Sequence, residues 1–383
     1  PGVDTYKGIS YHTHKWPQSE VDLTGKRVGI IGTGATAVQI IPEIAKIVGN
    51  LTVFQRTPNW CTPLHNKKIP KDRMEQIKKN YDEILELCTQ TPGCYIHSTD
   101  PRSTFEVTDE ERIAFWEKLY AEPGFGIWQG NFKDMLTDRT ANTMMSEFLA
   151  EKIRGRVNDP IIAEKLIPKD HGFGTRRVPQ ETRYYETYNK ENVQLIDINE
   201  NPILEIIPEG IRTKEGDIEL DIIIYATGFD AITGAFERID IKGINGKELR
   251  ELWDDGPVTY LGVLVADFPN MFICMGPHSG LGNYTRTAEY SVEWVSDLIS
   301  HAVQNDKRNV QTSELAMDEW TNHVLSLGEG LLMNEIGSWM TGVNRNLAHK
   351  RKPRIMRYSG GHPAYREFCD KVKEDGYRHI VFS

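Results

Sequence analysis

The sequence KRVGIIGTGATAVQIIPEIAKIV, residues 26–48, decides the fold of this 383-residue chain. A short apolar segment, residues 26–31, is followed by a glycine-rich turn and then by apolar residues at helical spacing over residues 38–48. Residues 51–54, Leu-Thr-Val-Phe, predict a second strand. Strand, turn, helix and strand in this order form a βαβ unit, which predicts an α/β fold of the Rossmann type with a parallel sheet.

The glycine-rich turn has the spacing of a dinucleotide-binding site. Gly32 permits a tight turn, Gly34 lets the backbone approach a pyrophosphate, and the small Ala37 lets the helix pack on the strand. The start of the helix then offers free N–H groups and the positive end of its dipole to the phosphates. The predicted cofactor contacts are therefore Gly32, Thr33, Gly34, Ala35, Thr36 and Ala37. The alternative is a plain glycine-rich turn.

The end of the second strand selects between the two nicotinamide cofactors. An NAD site requires Asp or Glu there for the ribose hydroxyls. This chain has Gln55-Arg56-Thr57 instead. Arg56 can form a bidentate pair with a 2′-phosphate, and Thr57 can add a hydroxyl donor, so the sequence favours NADP over NAD. The alternative for Arg56 is an ordinary surface arginine.

The amino-acid composition indicates which classes of protein this chain can belong to. Apolar residues make up 39% and charged residues 26%, which is typical of a globular chain, and the net charge of −10 disfavours a nucleic-acid partner. No run of about 18 apolar residues predicts a membrane span. Five scattered cysteines favour a reducing compartment, and we expect the cytoplasm. The histidines and cysteines lack HExxH or CxxC spacing, so we expect no metal site.

The amino-acid pattern changes along the chain and predicts four parts. Residues 1–22 predict an interdomain linker in a loop conformation. An NADP-binding domain covers residues 23–62 and 175–227, with a charged, helical insertion at 63–174. Residues 221–225, Asp-Ile-Ile-Ile-Tyr, predict a strand that is covered on both faces. Residues 228–383 form the last part, with helices near 286–303 and 313–327.

The linker contains a motif with a family resemblance. Tyr6, Gly8, His12 and Trp16-Pro17 have the spacing of the fingerprint FxGxxxHxxxWP, and the chain resembles the Baeyer–Villiger monooxygenases, with Tyr6 in the place of Phe. Flavin monooxygenases that oxidise nitrogen or sulfur have a similar motif that ends in Phe or Tyr, so the final dipeptide favours the Baeyer–Villiger branch. His12 is expected to be a conformational linker residue.

Four further segments are similar to this family. They are residues 168–188, 221–230, 275–283 and 338–344. The resemblance implies an active-site arginine at Arg177, and it puts Arg176 where the family often has a lysine at the 2′-phosphate. The alternatives are a salt bridge for Arg177 and a solvated charge for Arg176.

The resemblance also implies two groups of contacts in the last part of the chain. The cofactor-binding residues in this group are Gly276, Pro277 and Asn283 on a flavin-facing loop, and Trp339 and Asn344 beside NADP. Leu281 and Tyr284 are expected to shape the substrate pocket. The alternatives are ordinary loop packing and, for Trp339, a buried core position.

The resemblance implies FAD and NADP as cofactors, with O2 and a small or cyclic ketone as substrates. In the family, NADPH reduces the flavin, O2 forms a C4a-peroxyflavin, and attack on the ketone gives an ester or lactone. The peroxide needs a fixed cation nearby, and an arginine stays protonated and keeps the peroxide anionic. The alternatives are a heteroatom-oxidising flavin monooxygenase and an inactive NADP-binding fragment.

The family pattern includes an earlier FAD-binding GxGxxG, whereas this sequence has one dinucleotide fingerprint, at Gly32. We therefore expect residues 228–383 to be the C-terminal half of a second, Rossmann-like FAD-binding domain. The amino-terminal segment of that domain is expected to belong to the same chain or to a separate one.

Overall fold

The computed structural model describes residues 1–280, 282–344, 347–350 and 352–383. The strands in these ranges are β1 (Ile9–His12), β2 (Arg27–Ile31), β3 (Asn50–Gln55), β4 (Thr62–Pro63), β5 (Gln180–Glu181), β6 (Val193–Asp197), β7 (Ile203–Ile207), β8 (Gly210–Thr213), β9 (Gly216–Glu219), β10 (Ile222–Tyr225), β11 (Val310–Thr312) and β12 (Ile380–Phe382).

The helices in the same ranges are α1 (Ala35–Ile44), α2 (Lys71–Lys79), α3 (Tyr81–Gln90), α4 (Asp109–Ala121), α5 (Gly126–Gln129), α6 (Arg139–Arg154), α7 (Pro160–Leu166), α8 (Tyr184–Thr187), α9 (Gly234–Arg238), α10 (Leu249–Leu252), α11 (Tyr284–Gln304), α12 (Glu314–Gly328) and α13 (His362–Glu374). None of these helices combines the length and the apolar character that crossing a membrane requires.

The chain divides into two compact units. The first contains residues 1–66, 102–128 and 134–229, and the second contains residues 67–101, 129–133 and 230–383. The segment predicted as a helical insertion, 63–174, contributes to both units. The predicted functional boundaries along the chain stay predictions.

The first unit is built on a five-stranded sheet with the strand order β1-β10-β2-β3-β6. Every neighbouring pair is parallel, and Val28 of β2 lies between Ile222 of β10 and Leu51 of β3. The predicted α/β class with a parallel sheet is therefore confirmed. Because the strands are parallel, their carboxyl ends meet at one edge of the sheet, where open α/β folds bind ligands.

Strand β10 is buried on both faces, as its continuous apolar sequence predicts. Ile222, Ile223 and Ile224 are each at most 2% exposed. One face of the sheet contacts the antiparallel meander β7-β8-β9. The apolar cluster in this contact consists of Phe54, Ile196, Ile206, Ile211, Leu220 and Ile223. Helix α1 connects β2 to β3 and buries Val38 and Ile41 completely.

The second unit is mainly helical. Helices α11, α12 and α13 each contribute a large aromatic side chain to one core, namely Trp294, Trp320 and Tyr365. Trp320 stacks on Tyr358 with ring centroids 5.4 Å apart. Strands β11 and β12 pair antiparallel. The helices predicted near 286–303 and 313–327 are confirmed as α11 and α12.

The amino-terminal segment differs from its prediction. A loop is predicted throughout residues 1–22, but Ile9–His12 forms β1 and pairs with β10 at the edge of the sheet. The Tyr6 hydroxyl donates to the carbonyl oxygen of Leu220 at 2.9 Å. A side chain at Gly8 would lie 2.6 Å from the carbonyl oxygen of Asp221. Backbone pairing, rather than an apolar period, makes this strand, and the loop prediction is wrong for its four residues.

Gly32 ends β2 in a conformation that favours glycine. Its φ is +110°, and a Cβ atom there would lie 2.4 Å from the carbonyl oxygen of Ala226. Its N–H donates to the carbonyl oxygen of Phe54 at 2.9 Å. The chain therefore turns out of β2 in close contact with both neighbouring strands, which leaves no room for a side chain.

We expect Gly32→Ala to lower the free energy of unfolding by about 1–3 kcal/mol because it introduces strain and a backbone clash. Gly155→Ala is the matched control. Gly155 has a φ of −72°, and the nearest atom to its added Cβ is 3.5 Å away, so that variant should change stability by about 0.5 kcal/mol or less. Urea denaturation followed by circular dichroism measures both effects. Equal unfolding midpoints for the two variants would contradict the constraint at Gly32.

Candidate functional site

Three strand ends of the first unit meet at one edge of the sheet. Gly32 follows β2, Arg56 follows β3 and Ala226 follows β10. The N–H of Ala226 donates to the carbonyl oxygen of Ile31 at 2.9 Å, so the three chain segments remain hydrogen-bonded as they leave the sheet. This edge places the predicted cofactor residues of the first unit close together.

The start of α1 fits a pyrophosphate. Gly34 is exposed, has an extended conformation and precedes the helix without a capping side chain. No atom lies within 4 Å of a Cβ built at Gly34, so a ligand can approach the backbone there. Thr33 is buried and donates its hydroxyl to the carbonyl oxygen of Thr57 at 2.9 Å. Ala37 is fully buried, while Ala35 and Thr36 are half-buried in the first turn.

A cavity of about 750 Å³ lies beside the end of β3. Its lining residues are Arg56, Thr57, Pro58, Pro160, Ile161, Glu164, Lys165, Ile167, Lys169, Asp170, Asp197, Asn199 and Glu200. Arg56 is exposed, and its carbonyl oxygen accepts a hydrogen bond from Asn199. Within the described ranges its guanidinium has no hydrogen-bond or ion-pair partner, so it is available to an anion.

Arg176 lies next to this cavity and is held by Asp170. Its Nη2 atom donates to Asp170 at 3.0 Å, and the ring of His171 contacts the same carboxylate at 2.7 Å. Burial raises the pKa of Asp170, but the hydrogen bond from His171 and the charge of Arg176 outweigh it and bring the pKa to about 2. Burial lowers the pKa of His171. Arg176 therefore already has a charged partner.

Arg177 has a different environment. Its side chain is exposed, and its carbonyl oxygen accepts a hydrogen bond from Asn59 at 3.2 Å. Among the residues that the structure describes, none forms an ion pair with its guanidinium, so the salt-bridge alternative is not formed there. Arg177 is thus a cation that can serve an external ligand.

The fingerprint residues hold β1 on the sheet. His12 ends β1; its Nδ1 accepts from the N–H of His14 at 3.1 Å, and its Nε2 lies 3.3 Å from the hydroxyl of Thr227. Trp16 lies against Tyr11, with ring centroids 5.3 Å apart, and Pro17 follows it. The fingerprint therefore contacts the segment that leaves β10. The role of His12 as a conformational linker residue stays a prediction.

The loop of the second unit that is predicted to face the flavin is tightly packed. A Cβ at Gly276 would lie 2.4 Å from Ile273, and Pro277 is buried. Asn283 precedes α11, and its N–H donates to the carbonyl oxygen of Gly93 at 2.8 Å. Tyr284 is 66% exposed, and its role at the substrate pocket stays a prediction. Leu281 lies outside the described residues.

Trp339 and Asn344 also belong to the second unit. Trp339 is 45% exposed in a short 3-10 helix, Trp339–Thr341, so the buried-core alternative is wrong. The N–H of Asn344 donates to the carbonyl oxygen of Lys350 at 2.8 Å. The exposure of Trp339 is compatible with a cofactor contact, and its role stays a prediction.

The sequence did not reveal Lys165, Lys169 or Asp170 as site residues. All three line the cavity beside Arg56, although they follow it by more than a hundred positions. Lys169 and Asp170 lie in the segment 168–188, which is similar to the family. The resemblance implied a role only for Arg176 and Arg177 in that segment. The signal that could have found Lys169 is its charge within the segment 168–188, three residues after the end of α7.

The chain is similar to known proteins over almost its whole length. No family model matches it. It is 44% identical to 2-oxo-Δ3-4,5,5-trimethylcyclopentenylacetyl-CoA monooxygenase of Pseudomonas putida, over 98% of this chain and 70% of that protein. It is 37% identical to a Baeyer–Villiger monooxygenase of Pseudooceanicola batsensis, over 99% of this chain and 69% of that protein.

A solved structure agrees with this similarity. The crystal structure of OTEMO in complex with FAD and NADP has a TM-score of 0.94 at 43% identity, covering 100% of this chain and 72% of that one. These comparisons do not confirm the expected additional flavin segment, which stays a prediction. Identity at this level over two thirds or more of each relative decides the family. The chain belongs to the Baeyer–Villiger monooxygenases.

Proposed function

We propose that this chain works in an FAD- and NADPH-dependent monooxygenase that converts a small or cyclic ketone and O2 to an ester or lactone. The observation that carries the proposal is the 44% identity to a ketone-ring monooxygenase over 98% of the chain. The first unit supports it with a dinucleotide site that has a free arginine at the end of β3.

NADP is the dinucleotide that this site favours. Its pyrophosphate would bind at the turn formed by Gly32 and Gly34 and at the start of α1, because no atom lies within 4 Å of a Cβ built at Gly34 and the helix has no capping side chain there. Arg56 and Thr57 would hold the 2′-phosphate in the cavity beside β3. Ile161 lines this cavity and is 66% exposed, so it offers an apolar surface to the adenine ring.

FAD is the second cofactor of the proposal. The OTEMO structure contains FAD and NADP, and we transfer both to this chain. The reduced flavin supplies the activation of O2 when it is bound. Gly276, Pro277 and Asn283 are proposed to face it, and Trp339 and Asn344 are proposed to contact NADP. Leu281 and Tyr284 are proposed to shape the ketone site.

Arg177 is proposed as the catalytic cation. A guanidinium stays protonated at working pH and stabilises negative charge that develops next to it. The exposed Arg177 side chain has no ion-pair partner in the described part of the chain, so its charge is not neutralised by a neighbouring carboxylate there. An arginine can thus stabilise an oxyanion without transferring its own proton.

Two further parts of the proposal concern the whole enzyme. The printed sequence has one dinucleotide fingerprint, at Gly32, so we propose that the FAD pyrophosphate binds to a further segment, in the same chain or a separate one. We also propose a cytoplasmic location on the basis of the few, scattered cysteines.

We expect Arg56→Ala to weaken NADPH binding by about 1.5–3 kcal/mol and NADH binding far less, because only NADPH carries the 2′-phosphate. Lys214→Ala, which removes an exposed charge from the loop between β8 and β9, is the control. Titration of the nicotinamide cofactors against each variant measures the difference. Equal losses for the two cofactors would refute the assignment of Arg56.

We expect Arg177→Ala, in the flavin-loaded enzyme that contains this chain, to abolish ester or lactone formation while NADPH still reduces the flavin. Stopped-flow reduction and product analysis by gas chromatography separate the two steps. Arg177→Lys keeps a positive charge but gains a transferable proton, so it should recover at most part of the product. Product formation at the unmodified rate in Arg177→Ala would overturn the catalytic role.

A further inference from the structure

The second unit contains a cavity of about 210 Å³ that the proposed function does not use. Its walls come from α3, the segment after α3, α11 and α13. The lining residues are Glu86, Thr89, Cys94, Arg286, Glu289, Tyr290, Glu293, His362 and Arg366. The cavity is smaller than the roughly 300–1,000 Å³ of pockets that hold drug-sized ligands, so it fits a small molecule.

The cavity uses a different face of α11 from the proposed substrate residue Tyr284. The four residues of α11 that line it are 286, 289, 290 and 293. Successive residues of an α-helix are about 100° apart, so these four positions share one side of α11, and Tyr284 lies on the opposite side. The cavity is therefore a separate feature from the proposed ketone site.

A deeply buried histidine in this cavity has no hydrogen-bond partner. His362 is 2% exposed at the start of α13, and neither of its ring nitrogens has a partner among the residues that the structure describes. Burial and the charges of Arg366 and Arg286 lower its pKa to about 4. At working pH the ring is therefore neutral, with one N–H donor and one acceptor. Buried polar groups are almost always satisfied, so we expect a bound molecule to complete this site.

Two arginines bring positive charge to the same cavity. The guanidinium of Arg366 lies over the ring of Tyr290, 4.7 Å from its centroid, and forms no ion pair within the described ranges. Arg286 pairs with Glu289 and donates to the hydroxyl of Thr89 at 3.4 Å. Its Nε atom is buried, and no described residue accepts a hydrogen bond from it. Both cations thus have N–H groups to offer to a ligand.

The inner part of the cavity does not neutralise these cations. The thiol of Cys94 is 1% exposed, and burial raises its pKa to about 11, although the charges of Arg366 and Arg286 oppose this rise. Cys94 and His362 are therefore both uncharged at working pH. An anion that enters the cavity meets two positive charges and a neutral N–H donor.

The acidic residues of the cavity lie at its exposed rim. They are Glu86, Glu289 and Glu293. Glu86 accepts a hydrogen bond from Gln90 at 2.8 Å, and Glu289 pairs with Arg286. Repulsion between like charges is proportional to the product of the charges, so a dianion meets about twice the repulsion that a monoanion meets at this rim. The rim therefore favours a carboxylate over a phosphate dianion.

We propose that this cavity binds the carboxylate of a small monocarboxylic acid. The carboxylate oxygens accept hydrogen bonds from the guanidinium of Arg366 and from Nε of Arg286, and His362 adds a neutral N–H donor. Hydrogen bonds between a guanidinium and a carboxylate are among the strong ones in proteins. The site adds a ligand to the cofactors and the ketone of the proposed function and does not depend on them.

Propionate binding to the flavin-loaded enzyme that contains this chain tests the proposal. NADP is added to saturation so that the dinucleotide edge of the first unit is occupied. Saturation-transfer NMR then follows propionate at constant ionic strength, and we expect a Kd on the order of 1 mM. Methyl phosphate, which is mainly a dianion at a pH of about 8, should displace propionate only at a roughly fivefold higher concentration.

Charge-removing variants locate the binding site. Arg366→Gln should weaken propionate binding roughly tenfold, and Arg366→Lys should recover part of the loss because it keeps the charge without the planar pair. Arg308→Gln removes an exposed positive charge between α11 and β11, and this matched control should change binding less than roughly twofold. Urea denaturation checks that each variant is folded. If Arg366→Gln does not fold, Arg286→Gln takes its place, with an expected loss of roughly threefold or more.

Three results would overturn the proposal. The first is the absence of saturable propionate binding, which would leave the cavity to water. The second is an equal loss in Arg366→Gln and Arg308→Gln, which would show a general effect of charge. The third is displacement of propionate by methyl phosphate at the concentration of propionate itself, which would contradict the assignment to a monocarboxylate.

Discussion

The close contact between the turn after β2 and the start of the segment after β10 determines the rest of the first unit. Gly32 and Ala226 approach so closely that a side chain at Gly32 would lie 2.4 Å from the carbonyl oxygen of Ala226. This contact fixes the direction in which the chain leaves β2, and so it fixes where α1 begins. Parallel pairing with β3 then brings Arg56 to the same edge. The phosphate groups of a dinucleotide need both features side by side.

The pairing of β1 with β10 in the same sheet explains the spacing of the fingerprint residues. Tyr6 and Gly8 dock the chain on the residues just before β10, and the four residues that follow pair with β10 as β1. His12 ends this strand beside Thr227, two residues beyond the end of β10. The spacing from Gly8 to His12 therefore equals the length of one short edge strand. The strand before the dinucleotide turn and the strand of the fingerprint therefore both pair with β10.

The sequence predicted the parts of the fold that depend on local pattern. The βαβ unit has both an apolar period and a glycine-rich turn, and β10 is a continuous apolar run, so the types of these elements were predicted correctly, although α1 covers residues 35–44 rather than 38–48. Strand β1 was missed because its residues are half-buried or exposed and carry no alternating pattern. The sequence could not predict the ion pairs of Lys169 and Arg176 either. It shows that the charges are present, but tertiary structure determines which carboxylate each cation contacts.

The charge arrangement around Arg56 also explains how an acidic chain can present an anion site. Hydrogen bonds from Arg154 and Lys169 bring the pKa of Glu164 to about 2, and Asp170 has a similarly low pKa because His171 and Arg176 outweigh its burial. Both carboxylates stay ionised well below neutral pH, so their attraction for the neighbouring cations is constant over the range in which enzymes work. A phosphate monoester, by contrast, gains its second charge near pH 6. The second ionisation of a phosphate ligand therefore contributes a pH dependence to binding at this edge that Glu164 and Asp170 do not contribute.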